Sequence, residues 1–123
     1  MKNFLLVGIG GCLGSIARYS VSLLVSRYFI TIFPLSTFLV NIIGSFLIGL
    51  LYGWLEQFPQ YTLYRLFLVT GFCGGFTTFS ALSIENLSLL QKGYYMFFLT
   101  YTLGSIVLGI IAAYLGIMFN KHL

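Results

Sequence analysis

Polar side chains lie inside segments that are otherwise apolar enough to sit in lipid. Arg18 falls within the first of these segments, and Asn41 falls within the second, with Thr37 one helical turn before it and Ser45 one turn after. Ionisable groups at membrane depth are rare and usually face a cavity or a partner, although an arginine can also reach the interface. The polar side chains of such a stripe can instead form hydrogen bonds between helices. These residues indicate either a polar pathway or helix–helix contacts.

Two further segments add one acid and a pair of hydroxyls. Glu85 lies late in the third segment, where it could pair with Arg18, line a vestibule or sit at a solvated helix end. Tyr101 and Ser105 lie one turn apart in the fourth segment, and Gly109 continues their face without a polar group. These positions extend the possible pathway into every apolar segment.

The stretch GFCGGFTTFS at 71–80 places three glycines and three hydroxyls at membrane depth. A glycine-rich break in a spanning helix frees backbone groups, which are tolerated only where they are buried in protein or line a water-filled site. Freed carbonyls can coordinate a cation, and half-helix N-termini attract anions. The rings of Phe76 and Phe79 flank the break and offer electropositive edges to a small anion, although ordinary packing is the alternative for each ring. The stretch therefore predicts an ion site.

Composition determines the class of protein. The 123 residues are 59% hydrophobic and only 7% charged, which is too few charged side chains to cover a soluble domain. Four spans of about 20 residues use up the chain. We predict an all-α membrane protein with one domain, a third helix broken at its middle, and spans at roughly 4–25, 36–54, 63–90 and 94–119.

Several function classes are excluded or disfavoured. The six basic residues are scattered, so nothing indicates nucleic acid or a specific lipid headgroup as a partner. No nucleophile with a histidine base and no paired carboxylates occur, so we predict that the protein is not an enzyme. Cys12 and Cys73 lack further ligands for a metal. The remaining interpretation is a pore or a transporter in contact with membrane lipid.

Lysine and arginine give no usable orientation signal. Lys2, Arg65 and Lys121 fall on one side of four spans, against Arg27 and Lys92 on the other, with Arg18 a little inside the first helix. A chain without this bias can insert in both orientations, and two opposite copies could pair as an antiparallel dimer. The alternative is that one basic residue alone fixes the orientation.

The chain resembles the Fluc (CrcB) family of fluoride channels over essentially its whole length. The resemblance rests on "GGCLGSIARY", "TFLVNIIGSFLIG" and "GFCGGFTTFSALSIE". It implies a small four-helix protein of the inner (plasma) membrane that exports cytoplasmic fluoride passively. It also implies a dual-topology dimer with two antiparallel pores and a structural sodium ion at its centre.

The resemblance also assigns roles to residues of this chain. It implies that the backbone carbonyls of Gly74 and Thr77 hold the sodium ion. The implied pore residues come from all four spans and are Arg18, Thr37, Asn41, Phe79, Ser80, Glu85, Tyr101 and Ser105.

Three positions depart from the family pattern. Leu82 replaces a phenylalanine, Ala81 replaces a usual threonine, and Gly109 stands where a serine is frequent. These losses favour a heterodimer with a homologous subunit, in which this chain could be the non-conducting partner; a conducting homodimer is the alternative. A small proton-coupled multidrug transporter is a further alternative, although the first span lacks the acid that such coupling needs.

Overall fold

Four helical spans make up the chain in the computed structural model, which describes residues 1–122. Helix α1 covers Lys2–Tyr28, α2 covers Leu35–Leu55, and α6 covers Tyr95–Lys121. The third span runs from Pro59 to Gln91, and the mean hydropathy of the four spans is between 1.5 and 2.1. All four are long and apolar enough to cross a membrane. The described residues contain no strand, so the predicted four-helix fold is confirmed.

The third span is built from several short pieces. A single 3-10 turn at Pro59–Tyr61 leads into α3 at Thr62–Arg65, and a π-helical segment follows at Leu66–Cys73. Helix α4 covers Gly74–Phe76 and α5 covers Phe79–Gln91. Between α4 and α5, Thr77 (φ −81°, ψ 154°) and Thr78 (φ −149°, ψ 118°) are extended. The predicted break is therefore present, and its extended residues are the two threonines that follow the glycines.

Two of the glycines before the break, Gly71 and Gly75, pack closely against the backbone of α1. A Cβ atom at Gly10 would collide with the carbonyl oxygen of Phe67, and one at Gly14 would lie 2.9 Å from the backbone nitrogen of Phe76. On the facing helix, a Cβ at Gly75 would lie 3.0 Å from the Cα of Gly11. Small residues at such crossings let two backbones approach within the membrane. The glycines thus position the break against α1.

Helices α2 and α6 form the second close pair. A Cβ at Gly116 would lie 2.7 Å from the backbone nitrogen of Leu50, and one at Gly49 would lie 2.8 Å from the carbonyl carbon of Ala113. Glycine at these two positions lets the two backbones approach closely. This pairing brings the polar stripe of α2 next to the hydroxyls of α6.

Aromatic side chains gather at the connection between α2 and the third span. Trp54 stacks on Tyr61 with ring centroids 6.1 Å apart, and Tyr61 meets Tyr64 edge-on at 5.4 Å. The Arg65 guanidinium lies 5.2 Å from the ring centroid of Tyr52. Amphipathic aromatic rings favour the headgroup level of a bilayer. The cluster therefore suits a membrane–water boundary.

Candidate functional site

Asn41 fixes the conformation of the break. Its amide oxygen accepts a hydrogen bond from the Thr78 backbone N–H at 2.9 Å, and its amide nitrogen donates to the Thr78 carbonyl at 3.2 Å. The Thr78 hydroxyl accepts from the backbone N–H of Ala81 at 3.2 Å and so caps α5. Asn41 therefore engages both the N–H and the carbonyl of the extended residue Thr78. The second N–H of the Asn41 amide remains for a ligand.

A cavity of about 340 Å³, here called the break cavity, opens beside this contact. Its lining includes Asn41, Ser45, Thr77, Phe79, Leu82 and Ser105. The Ser105 hydroxyl is buried without a hydrogen-bond partner, and an unpaired buried hydroxyl is costly unless a ligand or water satisfies it. The Ser45 hydroxyl is already engaged, because it donates to the backbone carbonyl of Asn41 at 2.7 Å. The break cavity thus presents donors suited to an anion.

Glu85 receives hydrogen bonds from two other helices. The Thr37 hydroxyl donates to one carboxylate oxygen at 2.7 Å, and the Tyr101 hydroxyl donates to the other at 2.6 Å. Tyr101 is fully buried, with its ring 5.4 Å from that of Phe33. Pairing of Glu85 with Arg18, one of the sequence-based alternatives, is wrong: no ion pair forms between them, because the hydroxyls of α2 and α6 supply the donors instead.

Arg18 lies in a second cavity of about 270 Å³, the arginine cavity. Its polar lining includes Ser15, Arg18, Ser22, Ser36, Thr37 and Glu85. Arg18 therefore faces a polar cavity shared with Glu85, as the cavity alternative predicted. A guanidinium and several hydroxyls in one cavity form a site that favours negative charge.

A third cavity, here called the outer cavity, has a volume of about 490 Å³. It lies between the α1–α2 connection and the end of α5, and its lining includes Thr31, Pro34, Glu85, Ser88, Lys92 and Tyr94. Glu85 lines both the outer and the arginine cavities, and Thr78 lines both the arginine and the break cavities. The arginine cavity therefore shares a lining residue with each of the other two, and the three are together called the row.

Most of the predicted pore residues line this row, but Ser80 and Tyr101 do not, and neither does Phe76. Ser80 is exposed, and its hydroxyl lies 3.2 Å from that of Thr78 without lining any of the three cavities. Phe76 is buried and stacks on Phe72 at 5.9 Å, so its ring serves packing and is not available to an anion. The Phe79 ring lines the break cavity and is 78% exposed.

Thr78 is the residue that sequence reasoning missed. It lines two cavities and caps α5, and its backbone both donates to and accepts from the Asn41 amide. A threonine followed by a helical run is a recognisable N-cap signal, and it was present in the TTFS stretch.

The three departures from the family pattern all lie at this site. Leu82 lines the break cavity and Ala81 lines the arginine cavity. A Cβ at Gly109 would meet the Ser45 hydroxyl at 3.5 Å. Each departure therefore removes a ring edge or a hydroxyl from the surroundings of the pathway.

The backbone carbonyls of Gly74 and Thr77 are suitable for binding a cation. In a continuous helix their partners would be the N–H groups of Thr78 and Ala81. Those two N–H groups donate instead to the side chains of Asn41 and Thr78. Within residues 1–122, no cluster of three or more acidic, histidine or cysteine side chains could hold a metal. Carbonyl oxygens freed at a helix break are the kind of ligand that sodium prefers.

Comparison with known proteins identifies related chains of similar length. The family model described as "CrcB-like protein, Camphor Resistance (CrcB)" matches residues 5–117. A protein of Chlorobium phaeobacteroides is 52% identical over 98% of this chain and 94% of its own length. Proteins of Azobacteroides pseudotrichonymphae (44% identical, 98% of both chains) and Flavobacterium psychrophilum (43%, 100% of both) are also similar. All three carry the name "Fluoride-specific ion channel FluC".

Proposed function

Because this chain belongs to the CrcB-like protein family, we propose that it is a passive fluoride-selective channel that exports cytoplasmic fluoride and lowers its toxicity. Relatives named as fluoride-specific channels cover the whole chain, which supports this function. The row of three cavities carries the proposal, because it offers hydroxyls, an amide and a guanidinium at membrane depth. Neither enzymatic activity nor proton-coupled drug transport has comparable support as the function of this chain.

In this proposal, polar donors replace the water lost by fluoride as it passes. Arg18 attracts the anion to the arginine cavity, and the amide of Asn41 and the hydroxyl of Ser105 donate to it in the break cavity. The ring edge of Phe79 adds a weaker electropositive contact. A desolvated anion is costly unless such partners compensate for the lost hydration.

No energy source is required for this export. Fluoride enters acidified cells as neutral hydrogen fluoride, dissociates inside and is trapped as the anion. A passive channel in the plasma membrane therefore suffices to return it.

We also propose that a structural sodium ion binds at the break. The carbonyls of Gly74 and Thr77 would hold it, since their helical donors are engaged by Asn41 and Thr78. When bound, the ion supplies positive charge next to the break cavity, which favours an anion there.

The pairing of two chains is a further part of the proposal. Phe79, Ser80 and Ser83 are exposed on the outside of a single chain, and exposed hydroxyls are disfavoured in lipid. A second chain inserted in the opposite orientation would cover this face. The partner is a second copy or a homologous subunit, and the losses at Leu82, Ala81 and Gly109 favour the homologous subunit.

Fluoride efflux from liposomes that contain the purified chain, alone or together with a homologous subunit, tests the proposed activity. We expect efflux that a fluoride electrode detects when a potassium ionophore balances charge, and that a proton gradient does not drive. Chloride-loaded liposomes should show no comparable efflux. Efflux of both anions, or exchange of a drug for protons, would contradict the proposal.

Labelling of single cysteines tests the opposed orientations. In a chain with Cys12→Ser and Cys73→Ser, Thr31→Cys and Gln60→Cys place one reporter in each of two connections on opposite sides. A homodimer of opposed chains exposes each reporter on both membrane faces in comparable amounts. Strict one-sided labelling would rule out the homodimer and leave the heterodimer with an oppositely inserted partner.

A further inference from the structure

Lys92 lies at the outer cavity, which is the largest cavity of the row. It is exposed, and it is the C-cap residue directly after the last residue of α5, Gln91. Glu85, on the same helix, also lines this cavity and connects it to the arginine cavity. An ion that reaches the row from this end meets both charges.

The spacing of the two residues places them on one face of α5. Lys92 follows Glu85 by seven positions, which is about two helical turns or roughly 10 Å of rise. Ser88 lies between them and lines the same cavity. Lys92 is therefore nearer the end of the helix, and Glu85 lies deeper.

Lys92 has no acidic partner in the part of the chain that the structure describes. The chain contains two acids, and the carboxylate of Glu85 is engaged by the hydroxyls of Thr37 and Tyr101. The other acid, Glu56, follows the far end of α2 and lines a different cavity with Arg65. The positive field of Lys92 is therefore not neutralised by an ion pair.

A fluoride ion approaching Glu85 is repelled by its carboxylate unless positive charge lies nearby. The screening length of salt water is about 10 Å at 0.1 M and about 30 Å at 0.01 M, so the field of Lys92 spans the cavity best at low salt. Cavities lined by charge, with low-dielectric walls, raise the local concentration of the opposite charge.

We propose that Lys92 concentrates fluoride in the outer cavity and so sets the rate at which the anion enters the row from this end. This inference rests on the proposed channel function and adds an entrance residue that touches neither the break nor the hydrogen bonds of Glu85. The role of Lys92 is electrostatic, so Lys92→Arg should keep it.

Fluoride currents through the reconstituted chain, measured at about 0.01 M and at 1 M ionic strength with an impermeant salt, test this role. At low ionic strength we expect Lys92→Gln to lower the current roughly twofold and Lys92→Glu roughly three- to fourfold, as the Coulomb energy of one charge at 10 Å in water implies. At high ionic strength both variants should approach the unmodified protein.

Arg27→Gln is the matched control. Arg27 is an exposed cation at the end of α1 on the same side of the bundle, and it does not line the outer cavity. We expect its neutralisation to lower the low-salt current less than Lys92→Gln does, because Arg27 lies outside the cavity. An equal loss in both variants, or a loss in Lys92→Gln that is the same at both ionic strengths, would overturn the role of Lys92 while leaving the channel function intact. Absence of fluoride current in the unmodified chain, both alone and reconstituted with a homologous subunit, would instead overturn the channel function, and the inference with it.

Discussion

Glu85 binds two helices to its own through a single carboxylate. Both of its oxygens accept a hydrogen bond from a hydroxyl group, one from Thr37 of α2 and the other from Tyr101 of α6. Hydrogen bonds to a charged group are shorter and stronger than those between neutral groups, and both distances here are short. The carboxylate is therefore a structural junction as well as part of the cavity lining.

Removing the Tyr101 hydroxyl should weaken this junction. Tyr101→Phe keeps the ring that packs beside Phe33 and removes only the donor to Glu85. We expect the free energy of unfolding in detergent to fall by about 1.5–3 kcal/mol, the usual value for a hydrogen bond to a charged group. Fluoride efflux should fall as well, because the freed carboxylate can reorient within the cavities that it joins.

Tyr114→Phe is the control, since Tyr114 lies on the same helix and is 60% exposed. Combining Tyr101→Phe with Thr37→Val should give a non-additive loss, since both hydroxyls donate to one group. Strictly additive effects, or equal losses from Tyr114→Phe, would show that the two bonds do not act as a unit.

Leu82 is the second residue whose replacement is informative. It lines the break cavity, where a phenylalanine would add a ring edge beside Phe79. If this chain normally works with a homologous subunit, Leu82→Phe should raise fluoride efflux from the chain reconstituted alone. Leu87→Phe, an exposed position on the same helix, should not raise it. Full efflux from the unmodified chain alone, with no gain from Leu82→Phe, would indicate a conducting homodimer.

At the scale of elements, α1 and the third span depend on backbone contact through glycine. Gly10 and Gly8 allow a direct test of this dependence on one helix. A Cβ at Gly10 would collide with the carbonyl oxygen of Phe67, whereas a Cβ at Gly8 has nothing within 4 Å.

We expect Gly10→Ala to destabilise the protein by about 1–3 kcal/mol, the usual cost of overpacking. Gly8→Ala should be neutral or stabilising by up to about 1 kcal/mol, because alanine favours a helix more than glycine does. Thermal unfolding followed by circular dichroism measures both changes. Equal stability of the two variants would show that the α1 crossing tolerates a wider separation.

The sequence predicted these elements better than the contacts between them. Four apolar runs were sufficient to predict the spans, and the glycines and hydroxyls of 71–80 predicted a break. The break nevertheless falls at Thr77 and Thr78, because Asn41, 37 residues away in sequence, engages the backbone of Thr78. The partners of Glu85 likewise depend on the packing of α2 and α6. Local patterns do not specify such long-range contacts, which is also why the Arg18–Glu85 alternative was wrong.

At the scale of the whole molecule, substitution of Gly74 tests for contact with a second chain. A Cβ there would have only the carbonyl oxygen of Val69 within 4 Å, at 4.0 Å, so the single chain has room for a side chain. We expect Gly74→Val to abolish dimers, as measured by cross-linking in membranes, and to abolish fluoride efflux, while helical content remains. This loss would arise from crowding against the opposed chain near the proposed sodium ion.

Gly8→Val is the control for Gly74→Val, because Gly8 is equally open within the chain. Its dimers and efflux should be retained. Retention of both properties by Gly74→Val would place the interface between chains elsewhere.

The sharing of Glu85 and Thr78 between neighbouring cavities has a kinetic consequence. Compartments joined end to end behave as resistors in series, so their resistances, and not their conductances, add. The step with the highest resistance then dictates the current, and a defect in any easier step stays hidden until that step becomes the slowest. Two substitutions in different cavities should therefore reduce the current by less than the product of their separate effects.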